Sequence, residues 1–181
     1  MVDEAHAIGI LGPEGKGLSF NYRNDVTMIT GTFGKAFGSG GAFIATNSEI
    51  GEHIIQTSGA FRYTTALAPS LAAGALKGLK KILENKGWGN DLLSSAKIWK
   101  DEITQNFNFP VQGDCHILSI IIGQEEKAIF LQKYLEKNGF LAIAIRPPTV
   151  PVGQSRIRIT IRRDLDFSIL NNLITVLKEF K

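Results

Sequence analysis

Short apolar runs alternate with glycine-rich turns and longer stretches of helical period along this chain. The β-branched run Val26–Thr30 predicts a strand, the glycine-dense stretch Gly31–Gly41 a loop, and Gly41–Thr46 a second strand. Glu49–Thr57 and Pro69–Asn85 carry helical periodicity. In the second of these, Leu71, Ala75, Leu79, Ile82 and Leu83 fall near one face, and Pro69 sits where a helix start tolerates proline. Ahead of them, Val2-Asp3-Glu4 reads as the end of a buried strand with no turn or cap before it. A domain seldom begins at the tip of a strand, so a truncated chain or a misassigned start is expected.

The segment Lys86-Gly87-Trp88-Gly89-Asn90-Asp91 is the expected boundary, with Asn90 or Asp91 as the N-cap of the next helix. It divides the chain into residues 1–86 and 87–181. The second part predicts a helix over about Asp91–Asn106, a strand His116–Ile122, a helix Glu125–Asn138 and an extended run Phe140–Arg146. After the rigid Pro147-Pro148-Thr149-Val150-Pro151 comes a strand, Ser155–Arg162, with Ile157, Ile159 and Ile161 alternating against Arg156, Arg158, Thr160 and Arg162. A last helix, Phe167–Phe180, carries Leu170, Leu173, Ile174 and Leu177. This half reads as a small α+β domain with an antiparallel sheet.

Composition changes this picture little. Hydrophobic residues at 44% and charged residues at 20% are the balance of a globular protein with a core. The net charge of +3 is scattered rather than gathered into a stripe, so nucleic acid is not expected as a partner. A single cysteine, Cys115, excludes an internal disulfide framework and suits a reducing cytoplasm, with a small apolar role in a strand. No apolar run approaches the roughly 18 residues that a membrane span requires, and no metal site is expected.

Two constellations carry chemistry. The first is Val2-Asp3-Glu4-Ala5-His6, which delivers acid and imidazole at a strand's C-terminal end, where α/β proteins bind ligands. Such a string serves either a DEAH-type nucleotidase, whose carboxylates hold magnesium, or a pyridoxal-phosphate enzyme, whose aspartate pairs with the pyridine nitrogen. Gly12-Pro13-Glu14-Gly15-Lys16-Gly17 does not match a phosphate loop, because glycine replaces the Ser or Thr after the lysine and the spacing is wrong. The second constellation is Thr30-Gly31-Thr32-Phe33-Gly34-Lys35-Ala36-Phe37-Gly38-Ser39-Gly40-Gly41. Its glycines let backbone approach a bulky ring, its threonines offer hydroxyls to a phosphate, and one further strand lies between Asp3 and Lys35. Together they suggest a Schiff-base site.

The string Asp3 to Gly17, the run Thr-Phe-Gly-Lys-Ala-Phe-Gly, Arg62-Tyr63-Thr64-Thr65-Ala66-Leu67-Ala68-Pro69 and Arg146-Pro147-Pro148-Thr149-Val150-Pro151 closely resemble, in this order, the α-oxoamine synthases. The last string is most like their biotin-pathway members. The resemblance implies the second half of a type-I pyridoxal-phosphate (aminotransferase-like) α/β large domain, followed by a small C-terminal α+β domain. It implies pyridoxal 5'-phosphate on Lys35, which then serves as acid and base at the substrate α-carbon. Asp3 would pair with the ring nitrogen, His6 with the phenolic oxygen, and Thr32 with the phosphate of its own chain. Thr64 or Thr65 would reach the phosphate of a second subunit, which requires a homodimer; otherwise these threonines cap the helix at Pro69.

Arg158 matches the residue that grips the amino-acid carboxylate, with Arg146 close by; spacing alone does not separate Arg158 from Arg156. The implied reaction joins L-alanine to pimeloyl-coenzyme A, or an acyl-carrier-protein equivalent, with loss of carbon dioxide. Members of the family are about twice this length, so a fragment that is inactive by itself and binds cofactor weakly or not at all is expected. An aminotransferase, another α-oxoamine synthase and a non-catalytic module remain as alternatives.

Overall fold

The computed structural model describes residues 1–180; Lys181, the last residue of the expected second domain, lies outside the described residues. Two compact units divide the chain, Met1–Asn90 and Asp91 onward. The division falls four residues beyond the expected 86/87. Trp88 and Gly89 stay with the first unit because Gly89 lies flat on the backbone of Ile10, where a Cβ would come within 2.3 Å of the Ile10 carbonyl oxygen.

The first unit holds a three-stranded sheet in the order β1 (Val2–Asp3), β2 (Met28–Thr32), β3 (Ala42–Thr46). β1 and β2 run parallel with Asp3 opposite Thr30, and β2 and β3 run antiparallel with Thr32 opposite Ala42. Helix α1 (Ser48–Thr57) starts at an N-cap, Asn47, whose side chain accepts from the Ile50 N–H. The one-turn helix α2 (Gly59–Arg62) was not evident from periodicity, being too short to express any. Helix α3 (Pro69–Glu84) begins at the proline, as expected. Of its predicted apolar face, Ala75 is buried, whereas Leu79 (41%) and Leu83 (50%) are exposed.

The glycine-rich stretch after β1 folds back on itself. Gly9 N–H donates to Gly15 O and Gly17 N–H to Leu11 O. A Cβ on Gly12, at φ +75°, would meet Gly17 O at 1.9 Å. Those amides serve the loop's own backbone, a physical reason for the glycines that needs no phosphate.

Helix α4 (Trp88–Asn106) runs across the division into the second unit and begins three residues before the expected start. Asn90 and Asp91 therefore sit in its first turn and do not cap it. The sheet is antiparallel in the order β4 (Val111–Gln112), β5 (Ile117–Gly123), β7 (Ser155–Thr160), β6 (Ile143–Ile145). Period-2 alternation decides its faces: Leu118, Ile120 and Ile157 point to one side and are fully buried. Arg156 and Arg158 point to the other, opposite Ile121 and Ser119. Helix α5 (Glu125–Lys137) packs on this sheet and buries Ala128, Leu131 and Leu135. Helix α6 (Phe167–Glu179) buries Leu170, Leu173, Ile174 and Leu177, the expected stripe. No described helix is long and apolar enough to cross a membrane.

Candidate active site

In the first unit, the parallel pairing of β1 and β2 sends Asp3 and the loop that carries Lys35 out of the same end of the sheet. Asp3 is exposed, and its Oδ1 accepts from the Ala5 N–H at 2.8 Å, which fixes the carboxylate at the strand tip. His6, one turn further, is also exposed.

The lysine loop is closed by its own backbone. Phe33 N–H donates to Gly41 O, Ser39 N–H to Phe33 O and Gly38 N–H to Lys35 O, with Gly38 at φ +64° to complete the turn. Thr32 braces the neck: its hydroxyl donates to Gly41 O at 3.0 Å and accepts from Gly34 N–H at 3.1 Å. The hydroxyl proton is thus engaged inside the loop. The Lys35 side chain is exposed and makes no hydrogen bond or ion pair with the described residues.

The sequence reading assigned nothing to the residues that hold this loop down. Phe37 is buried and meets Phe33 edge-to-face at 5.4 Å, and Phe33 in turn meets Phe43 at 5.3 Å. Ser39 Oγ donates to the Leu71 carbonyl on α3 at 2.7 Å. A Cβ on Gly78 of α3 would lie 2.4 Å from Phe37 O, so only glycine allows the helix this close to the loop. The aromatic spacing in Phe33-Gly34-Lys35-Ala36-Phe37 was the available signal; the helix contact had none.

Thr64 and Thr65 lie in an exposed segment between α2 and α3 and make no side-chain hydrogen bond with the described residues. They do not cap α3, whose N-cap is Ala68 without a side-chain bond. The strand tip with Asp3 and His6 and the loop with Thr32 and Lys35 thus lie at the same end of the sheet, while no described contact joins the two threonines to them.

The arginines belong to the second unit. Arg156 is engaged with Gln154, through its carbonyl at 3.0 Å and its side-chain oxygen at 3.2 Å. Arg146 is paired with Glu125 at the start of α5. Arg162 is bidentate to Asp164, and its guanidinium pKa is raised by that hydrogen bond. Arg158 is half-buried between Ser119 and Ile143 and makes no hydrogen bond or ion pair with the described residues. Of the pair that spacing could not separate, it is the guanidinium left open to an anion.

The profile of the family described as Aminotransferase class I and II matches residues 1–176. The chain belongs to that family. The 8-amino-7-oxononanoate synthase of Stutzerimonas stutzeri is 35% identical over 183 residues, covering 99% of this chain and 46% of the relative. A putative 8-amino-7-oxononanoate synthase of Desulfosudis oleivorans is 38% identical over 172 residues, covering 92% and 44%. The solved 8-amino-7-oxononanoate synthase of Francisella tularensis superposes with a TM-score of 0.83 at 26% identity, over 98% of this chain and 53% of that one. A serine palmitoyltransferase of Sphingomonas wittichii superposes at 0.88 with 21% identity over 98% and 46%, a likeness of fold alone. The chain spans about half the length of the curated relatives it matches. It thus has the mixed α/β fold of the aminotransferase-like enzymes, as the resemblance implied.

Proposed function

We propose that this chain forms half of a pyridoxal-phosphate-dependent acyltransferase that condenses L-alanine with pimeloyl-coenzyme A, or its acyl-carrier-protein equivalent, in cytoplasmic biotin biosynthesis. The observation that carries the reading is Lys35: an unpartnered amine on a loop braced by Thr32, Phe37 and Ser39, at the same sheet end as Asp3. The relatives named 8-amino-7-oxononanoate synthase support the choice of substrates.

The donor set fits the cofactor. An amine meets its aldehyde, a carboxylate its ring nitrogen, an imidazole its phenolic oxygen and a glycine loop its flat ring. When bound, pyridoxal phosphate supplies an electron sink for the charge that develops at the substrate α-carbon. Lys35 would hold the cofactor and would move the proton at the substrate α-carbon. Asp3, whose Oδ1 accepts from the Ala5 N–H, would pair with the ring nitrogen and hold its proton. His6 donates to the phenolic oxygen.

Thr32 reaches the phosphate only by exchanging its bond to Gly41. Thr64 or Thr65 serves the phosphate of a second copy, making the active form a homodimer. Arg158 takes the amino-acid carboxylate bidentately, and Arg146 steadies the neighbouring charge from its pair with Glu125. The 181 residues alone are proposed to be inactive, and residues 1–86 and 87–181 are proposed to be parts of the large and small domains of the whole enzyme.

The rival readings fare less well. A magnesium nucleotidase needs both carboxylates of Asp3-Glu4, and that of Glu4 is buried and bonded within the chain. An aminotransferase needs no acyl thioester, so dependence of turnover on coenzyme A thioester separates it in the whole enzyme.

The test is pyridoxal phosphate added to the purified chain and to Lys35→Ala, followed by visible absorbance, borohydride and peptide mass mapping. We expect borohydride to trap only weakly bound cofactor, with any specific adduct on Lys35 and lost in the variant. Equal labelling of the surface lysines in both proteins would sink the assignment.

A further inference from the structure

The site described so far leaves one buried charged group without a role, Glu4, which is 1% exposed and lies between Asp3 and His6. We infer that Glu4 is a positioning residue: its carboxylate anchors the returning loop at Leu18–Ser19 and thereby sets the orientation of Asp3 and His6 at the strand tip. This rests on the reading of that pair as the cofactor's partners.

Every polar group of Glu4 is engaged. Its N–H donates to Thr30 O of β2 at 2.8 Å, continuing the sheet one residue beyond the strand. Its carbonyl accepts from Ala7 N–H at 2.8 Å and Ile8 N–H at 3.0 Å, winding the chain into the turn that carries His6. Its carboxylate accepts from Ser19 N–H and Ser19 Oγ, each at 2.6 Å, on one oxygen and from Leu18 N–H at 3.1 Å on the other.

A buried carboxylate without a cationic partner persists only where donors of this kind replace water. Gly17 is part of the same fit, because at φ +94° a Cβ there would come within 3.0 Å of the carboxylate. Asp3 and His6 are both exposed, and the backbone that carries them flanks Glu4 on either side. The Glu4 carboxylate ties that backbone to a segment about fifteen residues away in sequence.

Both carboxylate oxygens accept backbone N–H groups, so no neutral isostere satisfies the site: in Glu4→Gln an amide NH₂ must face a backbone donor. We expect ¹⁵N and ¹³C NMR of Glu4→Gln to show shifts of the Ala5 amide, which reports the Asp3 carboxylate, and of the His6 ring. Protection of the Leu18 and Ser19 amides against hydrogen exchange should fall about ten- to a hundredfold, while Leu118 and Ile120 in the second unit keep theirs. Ser19→Ala removes one donor of three and should move the same signals less.

If Leu18 and Ser19 lose protection while Ala5 and His6 stay in place, Glu4 only fastens the loop and the inference is overturned. Should Glu4→Gln unfold the first unit, Ser19→Ala decides: shifts at Ala5 and His6 uphold the role, and their absence removes it. Labelling of other lysines in preference to Lys35 in the unaltered chain would count against the proposed function, while the NMR result still judges Glu4.

Discussion

The two units solve the same problem of burial to different degrees. In the second, the inward residues of β5, β7, α5 and α6 meet one another, and Leu118, Ile120, Leu131, Ile157 and Leu177 are all but inaccessible. In the first, several large hydrophobic side chains of α3 and β3 stay open: Ile44, Leu76, Leu79 and Leu83 are exposed, and Phe37 is a rare large side chain that is buried. Yet the first unit carries the lysine, the aspartate and the histidine. Its order comes instead from polar and backbone fastenings, namely the Glu4 carboxylate, the Thr32 and Ser39 hydroxyls and the close approach of Gly78. A packed core sets a fold, whereas these local bonds set the aim of exposed groups.

The widest gap between the units should appear on truncating a branched side chain in each. Ile157→Ala should cost about 2–5 kcal/mol in denaturant unfolding, because its cavity would open inside a closed core. Leu79→Ala should stay within about 0.5 kcal/mol, since the side chain already meets solvent. Equal costs would break the comparison and reveal α3 as covered in solution.

A middle-sized effect is expected where the first unit does pack tightly. Gly78→Ala should cost about 1–3 kcal/mol by overpacking and should lower amide protection around Phe37, read by hydrogen exchange. Unchanged protection there would mean that α3 does not seat the lysine loop.

The smallest effect is electrostatic. Hydrogen bonds from Lys16 and then Lys86 lower the Glu14 pKa from 4.5 to about 2. A pKa depressed in the folded state gives stabilisation that is present above about 4.5 and lost as pH falls through about 2. Asp166, the N-cap of α6, is depressed in the same sense by the Ser168 hydroxyl and the Ile169 N–H. An NMR titration should therefore find both carboxyls protonating late, and Lys86→Ala should move Glu14 back toward its ordinary value while leaving Asp166 alone.

Much of this was legible in the chain. Period-2 alternation at 155–162 gave the faces of β7, and 3.6 periodicity gave the buried stripe of α6, because each element's burial depends on neighbours in one direction only. The start of α4 was misjudged, since Asn90 and Asp91 have cap chemistry but Gly89 was needed flat against Ile10. α2 and β4 are too short to show a period at all.

By itself the sequence determined the order of the main elements, the pairing of an acid-bearing strand with a lysine loop, and the family, because these rest on local period and on contiguous motifs. Only the tertiary structure decided which neighbouring side chains are engaged and which stay open. Arg158 stays open where Arg156 is engaged, Thr64 and Thr65 do not cap α3, and Glu4 is buried against Ser19. Each of these depends on what lies across a sheet or at the far end of a loop, and spacing along the chain carries no such distance.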